Sequence, residues 1–581
     1  MHTARPVHDL PFRWIGPAAL VIALCALLGA CASVRPSAQT RIAAPTTVVP
    51  VVASDDLLLK LLSGQFALQG GDLGGSAKSF SDAAQLSSDP ALAEEATRLA
   101  LSVKDWPLAR RGLERWQQLA PKDPGIVQSR AWIALGEKRT DDAYADLDAL
   151  ATRGGDQVWR LIAQTLLGTG DKSASAHLLA RLATPDHLGA QEANWVAVSQ
   201  LAFKLGDKAL AQRLADAAVN RFHGDDSYAW SARLALDRGD KAAARATYAE
   251  ALKRDPKSLV LRGGYAAVLA DGGDNAGAAR ALASGPQDEV TYAARAAYAA
   301  RAEDKPTLNA LYRELVADKA ARSGKRLYLL GQVAEMIGNG DAALEWYQEI
   351  PAADERWFDA QMREAVTFDK LGRTDKALDF LHQLQLQVAD DGEQLGNAYL
   401  LEGDLLARKQ RPRDALVVYA NALDTLPDDT RVLYARALLA VDQGDLAAGE
   451  QDLRRVVELK PDDAEALNAL GYTLADHSTR GDPQQPEALG LIERALKLKP
   501  GEPAIIDSMG WLRYRMGDLD ASLKALRQAY AKQPDADIAA HLGEVLWIKG
   551  EHDEATRIWE AGRRNDAKNK TLLDAIKRLT T

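Results

Sequence analysis

The chain has 581 residues, of which 47% are hydrophobic and 26% charged, with a formal net charge of -10 at pH 7. The acidic balance argues against a generic nucleic-acid binder, which needs a basic face to displace counterions, and against a polybasic membrane clamp. The only cysteines are Cys25 and Cys31, so the body downstream can form neither an intrachain disulfide nor a thiolate metal site.

In chain order, residues 1–30 read as an export signal, with Arg5 and Arg13 in a basic leader and an apolar run from Ala18 to Leu28. That run falls short of the roughly 20 apolar residues of a comfortable bilayer span. It ends in Leu28-Gly29-Ala30-Cys31, which resembles a bacterial lipobox. The resemblance implies cleavage before Cys31 and acylation of that residue. Ala32 and Ser33 follow, where an Asp would mark inner-membrane retention in enterobacterial lipoproteins. The expected location is therefore the outer membrane, with the body in the periplasm. Residues 31–54, rich in Pro, Ser, Thr and Ala, read as the lipidated terminus and a semi-extended tether.

From residue 55 onward, Ala and Leu dominate and favour helix, because both lose little conformational freedom there. A small residue recurs at Ala109, Ala143, Ala244, Ala278, Ala343, Ala377, Ala415, Gly449, Ala488, Ser522 and Ala555. The pairs 109/143, 244/278, 343/377, 415/449 and 488/522 are each 34 residues apart. The intervals 377 to 415 and 449 to 488 are longer, and an insertion over His477–Pro486 accounts for the second. Weaker copies turn near Gly170-Asp171 and Gly206-Asp207, and a degenerate one surrounds Leu308–Leu315. The best copy reads Tyr399, Gly403, Ala415, Tyr419, Ala422, Pro427. Small residues let two antiparallel helices approach, the large one fills the space between them, and Pro ends the second helix. Gly-Asp pairs at 239–240, 273–274, 340–341, 444–445 and 517–518 are read as the turns between paired helices.

Period and residue types together resemble the tetratricopeptide repeat. The expected fold is all-α, a right-handed α-solenoid of about 12–14 helical hairpins. Residues 55–390 form a degenerate array and 391–570 a well-matched one, with 571–581 as capping helix and tail.

No catalytic group, metal site or cofactor is expected. Gly168-Thr-Gly-Asp-Lys-Ser173 lacks the Gly that a phosphate loop places directly before Lys, and Asp171 stands there instead. Arg238-Gly-Asp240 and Arg480-Gly-Asp482 fall in a turn and in the insertion. The pairs His177/His187 and His541/His552 lack the i, i+4 spacing that sets two imidazoles on one helical face. No Gly-x-Ser-x-Gly elbow occurs, and no non-repeat segment after residue 55 reaches the about 100 residues of a typical domain.

Ala469-Leu-Gly-Tyr-Thr-Leu-Ala-Asp476, Asp507-Ser-Met-Gly-Trp-Leu-Arg-Tyr514 and Ala540-His-Leu-Gly-Glu-Val-Leu-Trp547 resemble the C-terminal repeats of a family of large proteobacterial tetratricopeptide lipoproteins. That resemblance implies a non-enzymatic adaptor of a carboxyl-terminal processing serine protease, which would bring it cell-wall hydrolases such as those acting on peptidoglycan cross-links. An assembly scaffold for pilus, secretion or outer-membrane protein machinery is the alternative. In the repeat family the first helix of each pair lines the concave face. The positions concerned are Glu465, Asn468, Tyr472 and Asp476, then Asp507, Trp511, Tyr514 and Arg515, then Glu544, Trp547 and Ile548. The aromatic members, rimmed by acids, are expected to anchor a peptide or protein ligand, Trp511 foremost.

Overall fold

A computed structural model describes residues 55–123, 125–154, 157–318 and 322–580. The export signal, the tether and Cys31 lie outside the described residues. Every regular element among the described residues is helical, 32 helices in all. They fall into two compact units, one reaching Asp304 and the other starting at Lys305. This division is distinct from the boundary after residue 390 expected from the sequence.

The first unit holds seven hairpins, from Asp55–Gln69 with Leu73–Leu86 to Leu259–Asp271 with Asn275–Ala283, then the helix Glu289–Arg301. A one-turn helix, Pro185–Leu188, interrupts it. The second unit opens with Lys305–Ala317 and carries seven hairpins, from Gly324–Met336 with Gly340–Gln348 to Ala536–Ile548 with His552–Asn565. The helix Lys570–Thr580 ends it and packs on Ala536–Ile548 through Leu572 and Ala575. Each unit is thus an all-α stack of paired helices.

The repeated small residue explains the hairpin. Ala109, Ala143, Ala244, Ala278, Ala343, Ala377, Ala415, Ala488, Ser522 and Ala555 all have no exposed surface, and each is the fourth residue of its second helix. Ser76, Ser175 and Ala211 hold the same place in the hairpins whose sequence match is weak, and they are equally buried. Across the pair, a glycine accepts the large residue four positions later. A Cβ on Gly403 would lie 2.3 Å from the Tyr419 ring, and one on Gly543 2.1 Å from Trp559.

The turns follow the Gly-Asp expectation at four of five positions. Gly239, Gly273, Gly444 and Gly517 adopt positive φ, and the Asp side chain after each accepts a backbone N–H of the next helix. At the fifth, Gly340-Asp341 is not the turn. The left-handed residue is Gly338 (φ 84°), Asn339 caps Ala342 N at 3.2 Å, and Gly340 already belongs to the helix.

The insertion is shorter than the sequence suggested, since Gln485 and Pro486 open the helix Gln485–Leu498. Gln485 also pins the loop. Its buried Nε2 donates to Ser478 Oγ (3.2 Å), Thr479 O (3.0 Å) and Arg515 O (3.2 Å). Gln485→Ala should strand these acceptors and cost about 2 kcal/mol. Faster amide exchange across the 477–484 turn is the expected readout, and unchanged protection would remove Gln485 as its anchor.

Candidate partner-binding face

The second unit curves enough that separated hairpins wall common space. Asp404, Arg408 and Asp442 on one side and Asp535, Asp537 and Lys568 on the other line a cavity of about 830 Å³. A smaller pocket of about 170 Å³ continues from it and shares Leu438, Asp535 and Asp537. Asn468, Tyr472, Asp507 and His541 line that pocket.

The residues proposed from sequence converge here, but not as open anchors. Trp511 is buried, only 5% exposed. Its Nε1 donates to Asp476 Oδ1 of the preceding hairpin at 2.8 Å. One face of its ring stacks on His541 of the following hairpin, with centroids 4.3 Å apart and planes at 24°, and Tyr514 lies 5.0 Å away. The expectation that Trp511 faces an open groove is therefore corrected. First helices of consecutive hairpins lie so close that a bicyclic ring fills the seam between them and excludes water. Asp507 and Glu544 are buried too.

Asn468, Tyr472, Tyr514, Arg515 and Trp547 are half-buried, while Glu465 and Ile548 are exposed. Tyr514 donates to Glu544 Oε1 (3.2 Å), and Arg578 of the last helix donates to both Glu544 oxygens (3.1 and 2.6 Å). Burial and the Glu544 charge push the Tyr514 phenol up to about 12. Arg515 donates to Ser478 O, which ties the face to the insertion. Trp547 leans on Trp559 (5.4 Å) and meets His552 edge-on (4.2 Å). Glu465 pairs at the surface with Lys499 (3.0 Å).

The centre of the face is a residue that sequence reasoning passed over except as half of a weak metal pair. His541 is 3% exposed. Its Nδ1 meets Asp507 Oδ2 at 2.8 Å, and its Nε2 lies 3.4 Å from Tyr472 Oη. Burial disfavours the imidazolium, but the charge and hydrogen bond of Asp507, with Asp476 and Asp537 beyond, outweigh it and raise the His541 pKa to about 9. The shift favours the protonated ring, held between a carboxylate and an indole face. A signal for it existed, because Asp507 and His541 stand 34 residues apart, one repeat, on consecutive first helices.

The tetratricopeptide-repeat family profile matches residues 199–258, 231–289, 400–464, 434–503 and 508–568. The chain thus carries tetratricopeptide repeats over residues 199–289, 400–503 and 508–568. It is 41% identical over 215 residues to the TPR repeat-containing protein PA4667 of Pseudomonas aeruginosa, a match covering 37% of this chain and 35% of that protein. Human DnaJ homolog subfamily C member 3 is 24% identical over 265 residues, covering 44% and 50% of the two chains. The chain thus spans between a third and a half of the length of these curated relatives. Among solved structures, Naa15/Naa10 bound to HypK-THB aligns over 90% of this chain and 89% of its own, with 14% identity and a TM-score of 0.38. The Cut9-Hcn1 hetero-tetramer covers 90% and 96%, at 14% identity and a TM-score of 0.30.

Proposed function

We propose that this repeat protein is a lipid-anchored, non-enzymatic adaptor. Through Cys31 it would sit in the outer membrane, with its repeats in the periplasm. There it would hold a carboxyl-terminal processing serine protease together with substrates such as cell-wall hydrolases. The observation that carries the binding role is the curvature of the second unit, whose hairpins wall a cavity of about 830 Å³, ample for an extended protein segment. The choice of a protease as partner rests on the likeness of the last repeats to the lipoprotein adaptors. Tethering two proteins on one scaffold raises their effective concentration without new chemistry.

Affinity purification of the tagged, full-length protein from its own cells tests the reading. Co-elution of a processing protease with wall hydrolases is expected. Recovery of pilus, secretion or barrel-assembly components instead would make it an assembly scaffold. Cys31→Ser should move the body from the membrane fraction to the soluble periplasm, and continued membrane fractionation would overturn the anchor.

A further inference from the structure

We propose that the pocket between Asn468, Asp507 and His541 receives one basic side chain, Lys or Arg, from an extended partner segment lying in the larger cavity. The proposal deepens the partner-binding reading and rests on it.

Two acceptors in this pocket are left over. Asn468 Oδ1 and Asp507 Oδ1 are buried and have no hydrogen-bond partner. Asp507 itself is 6% exposed, and only its other oxygen is engaged, by His541. A buried acceptor without a donor costs free energy comparable to a lost hydrogen bond, and more when it is charged. The missing groups are therefore donors, and the pocket's charge says of which sign. Asp535 and Asp537 stand on the same wall as Asp507. The Asp535 carboxylate is turned to the helix start it caps, and Asp537 accepts from Asn569 Nδ2 at 3.0 Å. The single basic residue lining the pocket, His541, already faces Asp507 and stacks on Trp511.

An ammonium brings three donors and a guanidinium five, with no acceptor to clash with the carboxylates. Leu438, Val441, Ala469 and Ile538 line the pocket as well, and they suit the methylene stem that Lys and Arg bury behind their charge. The volume of about 170 Å³ takes one such side chain. The shared wall at Leu438, Asp535 and Asp537 puts the pocket mouth on the larger cavity, so the side chain would arrive attached to a polypeptide running there.

Trp511 offers a built-in reporter, since its indole covers His541. The test uses the full chain labelled with 5-fluorotryptophan, with the Trp511 resonance assigned by Trp511→Phe. The probes are the N-acetyl methylamides of lysine, arginine, norleucine and glutamate. Saturable movement of the Trp511 resonance by the lysine or arginine amide is expected, about tenfold tighter than by norleucine, and without response to glutamate. Asn468→Leu, at a half-buried position whose oxygen bonds to nothing, should abolish the response while leaving the melting temperature in place.

Equal binding of norleucine, an unchanged response in Asn468→Leu, or no response to either basic amide would overturn the proposal and make the pocket a water site. Co-purification of the protease is scored separately on the wild-type chain. A protease that co-purifies while the basic amides leave Trp511 unmoved overturns the pocket alone. Basic amides that bind while no protease is recovered support the pocket and overturn the protease as partner.

Discussion

Replacing Ala415 with Trp is expected to destabilise the second unit by about 3 kcal/mol or more, beyond the usual range for a single overpacked site. Ala415 has no exposed surface, and Tyr419, one turn on, is 1% exposed. The Tyr419 ring already sits where Gly403 leaves out a side chain, so the two helices have no slack in which to take an indole. A pair forced apart here would also strain its neighbours, because each hairpin of a repeat array buries its faces only against the next. Amide exchange should accelerate over Gly392–Thr425 first and then over the flanking hairpins. An unchanged melting profile would mean that the helices meet in a different register.

The second large effect concerns Asp507 and His541. Removing one member of a buried, hydrogen-bonded ion pair typically costs about 3–5 kcal/mol, because the other charge is left in a dry site. Asp507→Ala is expected near the lower end, since His541 can shed its proton when the carboxylate goes. The same pair makes stability depend on pH, and the sign follows from the direction of the shift. The His541 pKa is raised from 6.5 to about 9 in the folded chain. Its contribution, on the order of 3 kcal/mol, is fully present below about pH 6.5 and is lost as pH rises through about 9. The melting temperature of the wild type should fall across that window, and the fall should be blunted in His541→Gln. A wild-type profile that is flat from pH 6.5 to 9, or identical in the variant, would count against a charged His541.

Much of the fold was legible because a repeat states its rule many times. The small residue before the large one, the glycine opposite and the capping Asp each answer a local steric or hydrogen-bonding need, and local needs show in local sequence. Ser76, Ser175 and Ala211 escaped because their neighbours had drifted, although the steric demand at their positions had not. Gly340-Asp341 misled because a Gly-Asp pair serves equally well one step inside a helix, and Gly338-Asn339 supplied the turn. The face was legible in position but not in state. Helix register placed Asn468, Tyr472, Asp507, Trp511, Tyr514 and Glu544 on neighbouring first helices. Whether Trp511 meets solvent or a neighbour depends on how tightly those helices are drawn together, a property of the stack that no single repeat encodes. His541 was missed for a related reason, since its partner lies in the previous copy.

The polar links on this face run in one pattern. Trp511 reaches back to Asp476, His541 to Asp507, Tyr514 forward to Glu544, and the terminal helix reaches back through Arg578 to Glu544. Each stitch joins one repeat to the next, and none of these closes within a single hairpin. The second unit therefore behaves as a chain of coupled spins whose neighbour terms at this end are electrostatic as well as apolar. Such a chain melts as a moving front rather than at scattered points. The front starts where a spin has one neighbour only, and at the C-terminal end the clasp of Arg578 on Glu544 holds it back.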